Sequence, residues 1–151
     1  MSHVVSICHT PAGVERRPAD HYARVVVSEA VLVEGHGIEG DAKGGSDKRQ
    51  LNVMTAETMA QLRAEGFLTG PGELGEQLVV AGVDETALTP GTRLALGEMA
   101  VIEVTLPRTG CDRFEHIQGK PKLSAKGRLG VLARVVASGV VRTGDAVRLP
   151  G

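Results

Sequence analysis

The chain has 151 residues, the size of one ordinary domain. Apolar residues make up 42% and charged residues 23%, proportions of a folded globular chain rather than a disordered one. A formal net charge of −1 argues against a chain that coats nucleic acid, and no apolar run approaches the ~20 residues of a membrane helix, so neither is expected as a partner. The first ten residues, Met1 to Thr10, lack a charged stretch followed by a long apolar one, so the expected location is the cytoplasm. Val4 to Ile7 is a β-branched run that reads as a strand, with Cys8 at its end as a small core residue. Arg24 to Val33 reads as one strand, with Val25, Val27, Val31 and Val33 on one face. Further strands are expected over Gln50 to Met54, Leu78 to Ala81, Arg93 to Leu96, Ala100 to Leu106, Val131 to Ala137, Val140 to Arg142 and Ala146 to Leu149.

Turn chemistry separates these runs. Gly97-Glu98 and Ser138-Gly139 read as two-residue hairpins, and Pro90-Gly91 as a type II turn. Helix is the minority: Thr55 can cap a helix over Ala56 to Glu65 with Gly66 beyond it, and a short helical turn is expected from Asp112 to Ile117. Lys120 to Arg128 reads as a basic loop. The aromatics are Tyr22, Phe67 and Phe114 alone, so the core must be aliphatic. The whole is predicted to be one mostly β domain over residues 1–151, a barrel-like arrangement of short antiparallel and mixed strands with one or two short helices.

Two segments carry chemistry. In Pro107-Arg108-Thr109-Gly110-Cys111-Asp112-Arg113-Phe114, proline ends a strand and glycine loosens the chain before the thiol. Arg108 and Arg113 flank Cys111, and a helix starting at Asp112 would put the thiol at its N-terminus; both features favour the nucleophilic, metal-binding thiolate. The second segment runs from Gly37 to Gln50, where four glycines and Lys43, Lys48 and Arg49 suit an anion cradle without forming a Walker loop. Arg128, in Gly-Arg-Leu-Gly, is a further cation at a strand mouth, and Gly72-Glu73-Leu74-Gly75-Glu76-Gln77 sets a carboxylate between glycines that buttresses loops or touches a ligand. His116 is the histidine nearest the thiol in sequence and the candidate base. No histidine pair has the i, i+4 metal spacing, and two cysteines build neither a disulfide framework nor a zinc site.

Four pieces occur in one order: Gly-Ile-Glu-Gly-Asp (37–41) with Lys-Arg-Gln (48–50); Pro-Gly-Glu-Leu-Gly-Glu-Gln-Leu (71–78); Pro-Arg-Thr-Gly-Cys-Asp-Arg-Phe (107–114); and Gly-Arg-Leu-Gly-Val-Leu-Ala-Arg-Val (127–135), closing in Gly-Asp (144–145). In this the chain resembles the small stand-alone members of the MOSC domain family, named for the C-terminal region of molybdenum cofactor sulfurases. The resemblance spans residues 24 to 149 and implies a mostly β, barrel-like fold. It places the family's signature thiol on Cys111, either as a persulfide carrier charged by a pyridoxal-phosphate cysteine desulfurase, or as the ligand of molybdenum in a bound molybdopterin served by a reductase partner. The second case implies reduction of N-hydroxylated compounds, with Arg49, Arg108 and Arg128 holding the cofactor phosphate and Asp41, Lys48 and Arg113 assisting. A third reading is a non-catalytic barrel that binds a small anionic ligand or a partner protein. The chain departs from the family at Lys43, where many relatives carry histidine, in having no cysteine after Cys111, and in Pro121 soon after Phe114.

Overall fold

The computed structural model describes residues 1–13, 21–42, 44–45 and 48–149; Lys43 of the glycine-rich segment lies outside them. Eleven strands and two helices follow in order: β1 (His3–His9), β2 (Val25–Val27), β3 (Glu29–Val33), β4 (Gly37–Ile38), β5 (Leu51–Thr55), α1 (Ala56–Ala64), β6 (Leu78–Ala81), β7 (Arg93–Leu96), β8 (Ala100–Pro107), α2 (Asp112–Gln118), β9 (Val131–Ala137), β10 (Gly139–Arg142) and β11 (Val147–Arg148). Short 3-10 turns cover Glu85–Ala87 and Lys122–Ala125.

Eight strands make one mixed sheet in the order β11-β7-β8-β9-β5-β6-β1-β2, and three make a second sheet, β10-β3-β4. The parallel pair in the large sheet is β5–β6, joined by α1 as a β-α-β crossover must be. The large sheet curls until a bridge from His3 to Ala146 links β1 to the residues before β11, so the barrel-like form has a one-bridge seam rather than a full ladder. Leu32 and Ile38 of the small sheet pack with Leu94, Ile102, Val104 and Val135 of the large one, an aliphatic core as the composition requires.

Three sequence expectations change. Arg24 to Val33 is not one strand: Ser28 breaks it, β2 pairs with β1 and β3 joins the other sheet. Leu32, not the valine face, enters the core, while Val25 and Val31 stay exposed. Ser138-Gly139 is no hairpin, because β9 pairs with β8 and β5 while β10 pairs with β3; the chain changes sheets there. The β7–β8 connection is a hairpin, but its loop holds three residues, since Leu96 pairs with Ala100. The type II turn forms: Thr92 N–H donates to Thr89 C=O at 3.0 Å across Pro90-Gly91, with Gly91 at φ +92°.

Both helices form where their signals lie. Thr55 Oγ1 caps α1 by accepting from Thr58 N–H at 3.2 Å, and Met59 and Leu62 are buried. The α2 helix ends on Gly119 in the left-handed region and buries Phe114 and Ile117. Phe114 stacks on Phe67 with ring centroids 6.2 Å apart, inside a second apolar cluster with Met54, Met59 and Leu62. That packing fixes α2, and so the residue before it, Cys111, against the body of the protein. Among the described residues no helix is long and apolar enough to cross a membrane.

Candidate functional site

Cys111 sits on an exposed loop between β8 and α2, at the N-cap position of α2. Cys8 is the contrast: it is buried in β1, and burial pushes its thiol up, against a smaller opposing pull from the Ser6 hydroxyl. The Cys111 sulfur lies within electrostatic reach of Tyr22, Arg108 and Lys122. Lys122 is held by Asp112 at 2.8 Å.

Tyr22 is the hinge of the arrangement. Two guanidinium groups lie over its ring, Arg113 with Cζ 4.8 Å from the centroid and Arg108 with Cζ at 6.0 Å. Arg113 also donates to His21 C=O at 3.2 Å. Beside the ring is a pocket of about 300 Å³ lined by Tyr22, Arg24, Arg49, Asn52 and Arg113, with Gly44 and Gly45 at its rim. Arg24 is fixed from behind: Nη1 donates to Thr10 Oγ1 at 2.8 Å and Nη2 to Gly75 C=O at 3.0 Å. Thr10 is in turn held by Asp41, whose Oδ1 accepts the Thr10 N–H at 3.1 Å while Oδ2 accepts from Gln77 Nε2 at 2.5 Å.

The segment 70–77 braces the pocket, contributing Gln77 to its lining and Gly75 C=O as acceptor to Arg24 and Asn52. Glu76 is fully buried and folds back on its own loop, accepting Gly72 N–H at 2.7 Å and Leu74 N–H at 3.2 Å. Burial pushes its carboxyl above the usual glutamate value, while these backbone N–H groups and Arg108 pull the other way. Gly75 is in the left-handed region at φ +81°, and a Cβ there would lie 2.8 Å from Arg108 Nη2 and 3.0 Å from the Tyr22 ring. Its lack of a side chain is what lets the loop touch both.

The polar satisfaction of this region is incomplete. Arg24 Nε, Arg108 Nη1, the Tyr22 hydroxyl and Asn52 Oδ1 are shut off from solvent without a hydrogen-bond partner. The Tyr22 hydroxyl and Arg108 lie near each other but outside hydrogen-bond geometry. Burial pulls both the Arg24 and Arg108 guanidiniums below their usual value, against the raising effects of Asp41 on Arg24 and of Tyr22 on Arg108. Three of the four orphaned groups are N–H or O–H donors beside clustered positive charge. That donor set fits an anionic group with several oxygen acceptors, such as a phosphate. It is the property a phosphate-bearing cofactor requires of a protein.

The structure brings together Cys111, Arg108 and Arg113 around Tyr22, with Arg49 on the adjoining pocket wall. Asp41 is buried and supports Thr10 and Gln77 rather than facing the pocket. Lys48 lines a different cleft, on the outside of the large sheet, that Arg49 also borders. Arg128 is not brought to the thiol: its guanidinium forks onto Glu65 beyond the end of α1 and also donates to Ser124 C=O. His116 is exposed on α2 and lines a surface depression with Asp112, Glu115 and Lys120, away from the Tyr22 pocket. Among the described residues no three His, Cys, Asp or Glu side chains gather as a metal site, so Cys111 would be a single protein ligand. Tyr22 and Arg24 escaped the sequence reading. The one available signal was that Tyr22 is the sole tyrosine of a chain with three aromatics; Arg24 read only as the first residue of a valine-rich strand.

Three solved structures share the fold nearly end to end. YiiM from Geobacillus stearothermophilus aligns over 100% of this chain and 76% of its own, at TM-score 0.75 and 19% identity. The YUAD protein from Bacillus subtilis aligns over 97% and 94%, at TM-score 0.74 and 21% identity. YiiM from Escherichia coli aligns over 99% and 70%, at TM-score 0.67 and 24% identity. At these identities the likeness is one of fold. No curated protein matches the chain. Residues 40–148 match the MOSC domain, a stretch that includes most of the glycine-rich segment, the Glu76 loop and the thiol. With that match covering well over half of its length, the chain belongs to the MOSC domain family.

Proposed function

We propose that Cys111 is a sulfur-accepting thiol, working beside an arginine pocket that holds the anionic part of a ligand. The observation that carries this reading is the convergence of Arg24, Arg108 and Tyr22, with donors left unpaired, next to an exposed cysteine. A pyridoxal-phosphate cysteine desulfurase is the donor partner. The Cys111 thiolate attacks the outer sulfur of the partner's persulfide. The partner's S–S bond breaks, its cysteine leaves as a thiolate, and Cys111 keeps the transferred sulfur as its own persulfide. Arg108 lies close enough to offset the charge of the anionic product. An exposed thiol suits such transfer, because two cysteines on different proteins must meet.

The same donor set favours a second reading, a molybdopterin-binding reductase component. Arg24, Arg108, Arg113 and the Tyr22 hydroxyl would hold the phosphate, and Cys111 would present a soft thiolate to the metal. When bound, the molybdenum–pterin group would supply the redox centre for reducing an N-hydroxylated compound, with electrons from a reductase partner.

The experiment is mass spectrometry of the purified protein after incubation with a cysteine desulfurase and cysteine, together with metal analysis of protein made in a cofactor-competent host. One added sulfur atom on the Cys111 peptide is the expected result. Sulfur on Cys8 only, or on neither, contradicts the carrier reading; molybdenum in stoichiometric amount would establish the second.

A further inference from the structure

The outer face of the large sheet carries a second cationic concavity, distinct from the thiol pocket. Arg93, Glu103 and Arg134 are cross-strand neighbours on β7, β8 and β9. Their inward-facing neighbours Leu94, Ile102 and Val135 fill the core, so these three face outward. Glu103 Oε1 accepts from Arg93 Nε at 3.1 Å, and its Oε2 accepts from Arg134 Nε at 3.0 Å and Nη2 at 2.6 Å. One carboxylate thus fixes the direction of two guanidinium forks, and both Nη groups of Arg93 and the Nη1 of Arg134 take no part in that pairing.

Two chain segments overhang this face. Gly35 N–H donates to Val135 C=O at 3.1 Å; Val135 N–H donates to Gln50 Oε1 at 2.9 Å; and Thr105 Oγ1 donates to Lys48 C=O at 2.6 Å. The result is a cleft of about 910 Å³ lined by Lys48, Arg49, Arg93 and Arg134, with Leu106 and Val136 as its apolar part. Glu34 also borders it, so four cations meet two carboxylates. A solvated ion-pair ladder contributes little to stability and needs no enclosing walls. A cleft with an excess of positive charge focuses potential on an incoming anion, and two pre-oriented forks match a carboxylate or phosphate.

We propose that this cleft binds a small organic acid, with its carboxylate or phosphate gripped between Lys48 and the Arg93–Arg134 pair and its apolar body against Leu106 and Val136. Arg49 borders both this cleft and the Tyr22 pocket, which makes the two sites neighbours. The proposal does not depend on what Cys111 does.

The test is amide NMR on the whole chain titrated with phenyl phosphate, benzoate and the neutral benzyl alcohol. At least one anion is expected to shift the Gly35, Val135 and Val136 amides, with benzyl alcohol inert. Which anion is tighter tells phosphate from carboxylate as the recognised group. Arg134→Gln and Lys48→Gln are each expected to weaken that binding about tenfold, the loss of one charge-assisted contact. Lys48→Gln leaves the Glu103 pairs intact, so its effect cannot be charged to the sheet. Arg113→Gln, in the thiol pocket, is expected to leave these shifts in place. The proposal is overturned if the anions move only Gly75 and Asn52, or if both cleft variants bind like the wild type.

Discussion

Glu76 is the residue that braces the loop behind Arg24 and Asn52. Its two oxygens satisfy two backbone N–H groups of one loop while it stays fully buried, and burial raises its carboxyl above the ordinary value of 4.5. A carboxyl whose folded value is raised binds its proton more tightly in the folded chain. Its contribution to stability is therefore greatest below pH 4.5 and declines as pH rises through the raised value. Glu76→Gln removes that titration and leaves one loop N–H facing an amide NH₂, at a cost of about 1–3 kcal/mol. Urea unfolding of both proteins across this range should show the wild type's advantage shrinking as pH rises. A gap that widens with pH would mean that the carboxylate, not the acid, is the favoured buried form. In the sequence the 72–77 segment offers two carboxylates among glycines with nothing to choose between them, and it is Glu76 that braces the loop.

At the scale of elements, the loop 70–77 and the segment before β2 meet only through the sheet order, which sets β6 beside β1 and β1 beside β2. The close approach is made at Gly75, where a Cβ would press on Arg108 and Tyr22. Gly75→Ala should therefore push Arg108 out of place and strain a left-handed backbone position. The expected outcome is a lower Tm together with weaker binding of inorganic phosphate, read from the fluorescence of Tyr22, the chain's sole tyrosine with no tryptophan to mask it. Unchanged phosphate binding in a folded Gly75→Ala protein would separate the loop from the pocket. These contacts also show why sequence reading went only part of the way. Cys111, Arg108 and Arg113 are legible because they lie within six positions of one another, and α1, α2 and the type II turn are legible because their capping and turn residues are local. Tyr22 reaches the thiol, and Arg24 the pocket beside it, from some ninety residues away, and no local pattern encodes that. The break at Ser28 was hidden for a related reason: alternation describes one strand's faces, not a strand handed from one sheet to another.

Over the whole molecule, the curled sheet gathers its charged loops on two neighbouring concavities while the net charge stays near zero. Arginines from three separate segments, at positions 24, 49 and the pair 108 and 113, crowd one region, and Arg128, expected with them, instead closes an ion pair with Glu65. Crowding of like charge without full hydrogen bonding works against stability, and a bound anion reverses that effect. The thiol and the cationic pocket should accordingly behave as one site. The direct measurement is the rate at which iodoacetamide alkylates Cys111, followed by mass spectrometry with and without inorganic phosphate, in the wild type and in Arg113→Gln. The account predicts modification at Cys111 while buried Cys8 stays intact, slowing of that modification by phosphate, and loss of the slowing in the variant. Alkylation indifferent to phosphate in the wild type would contradict it.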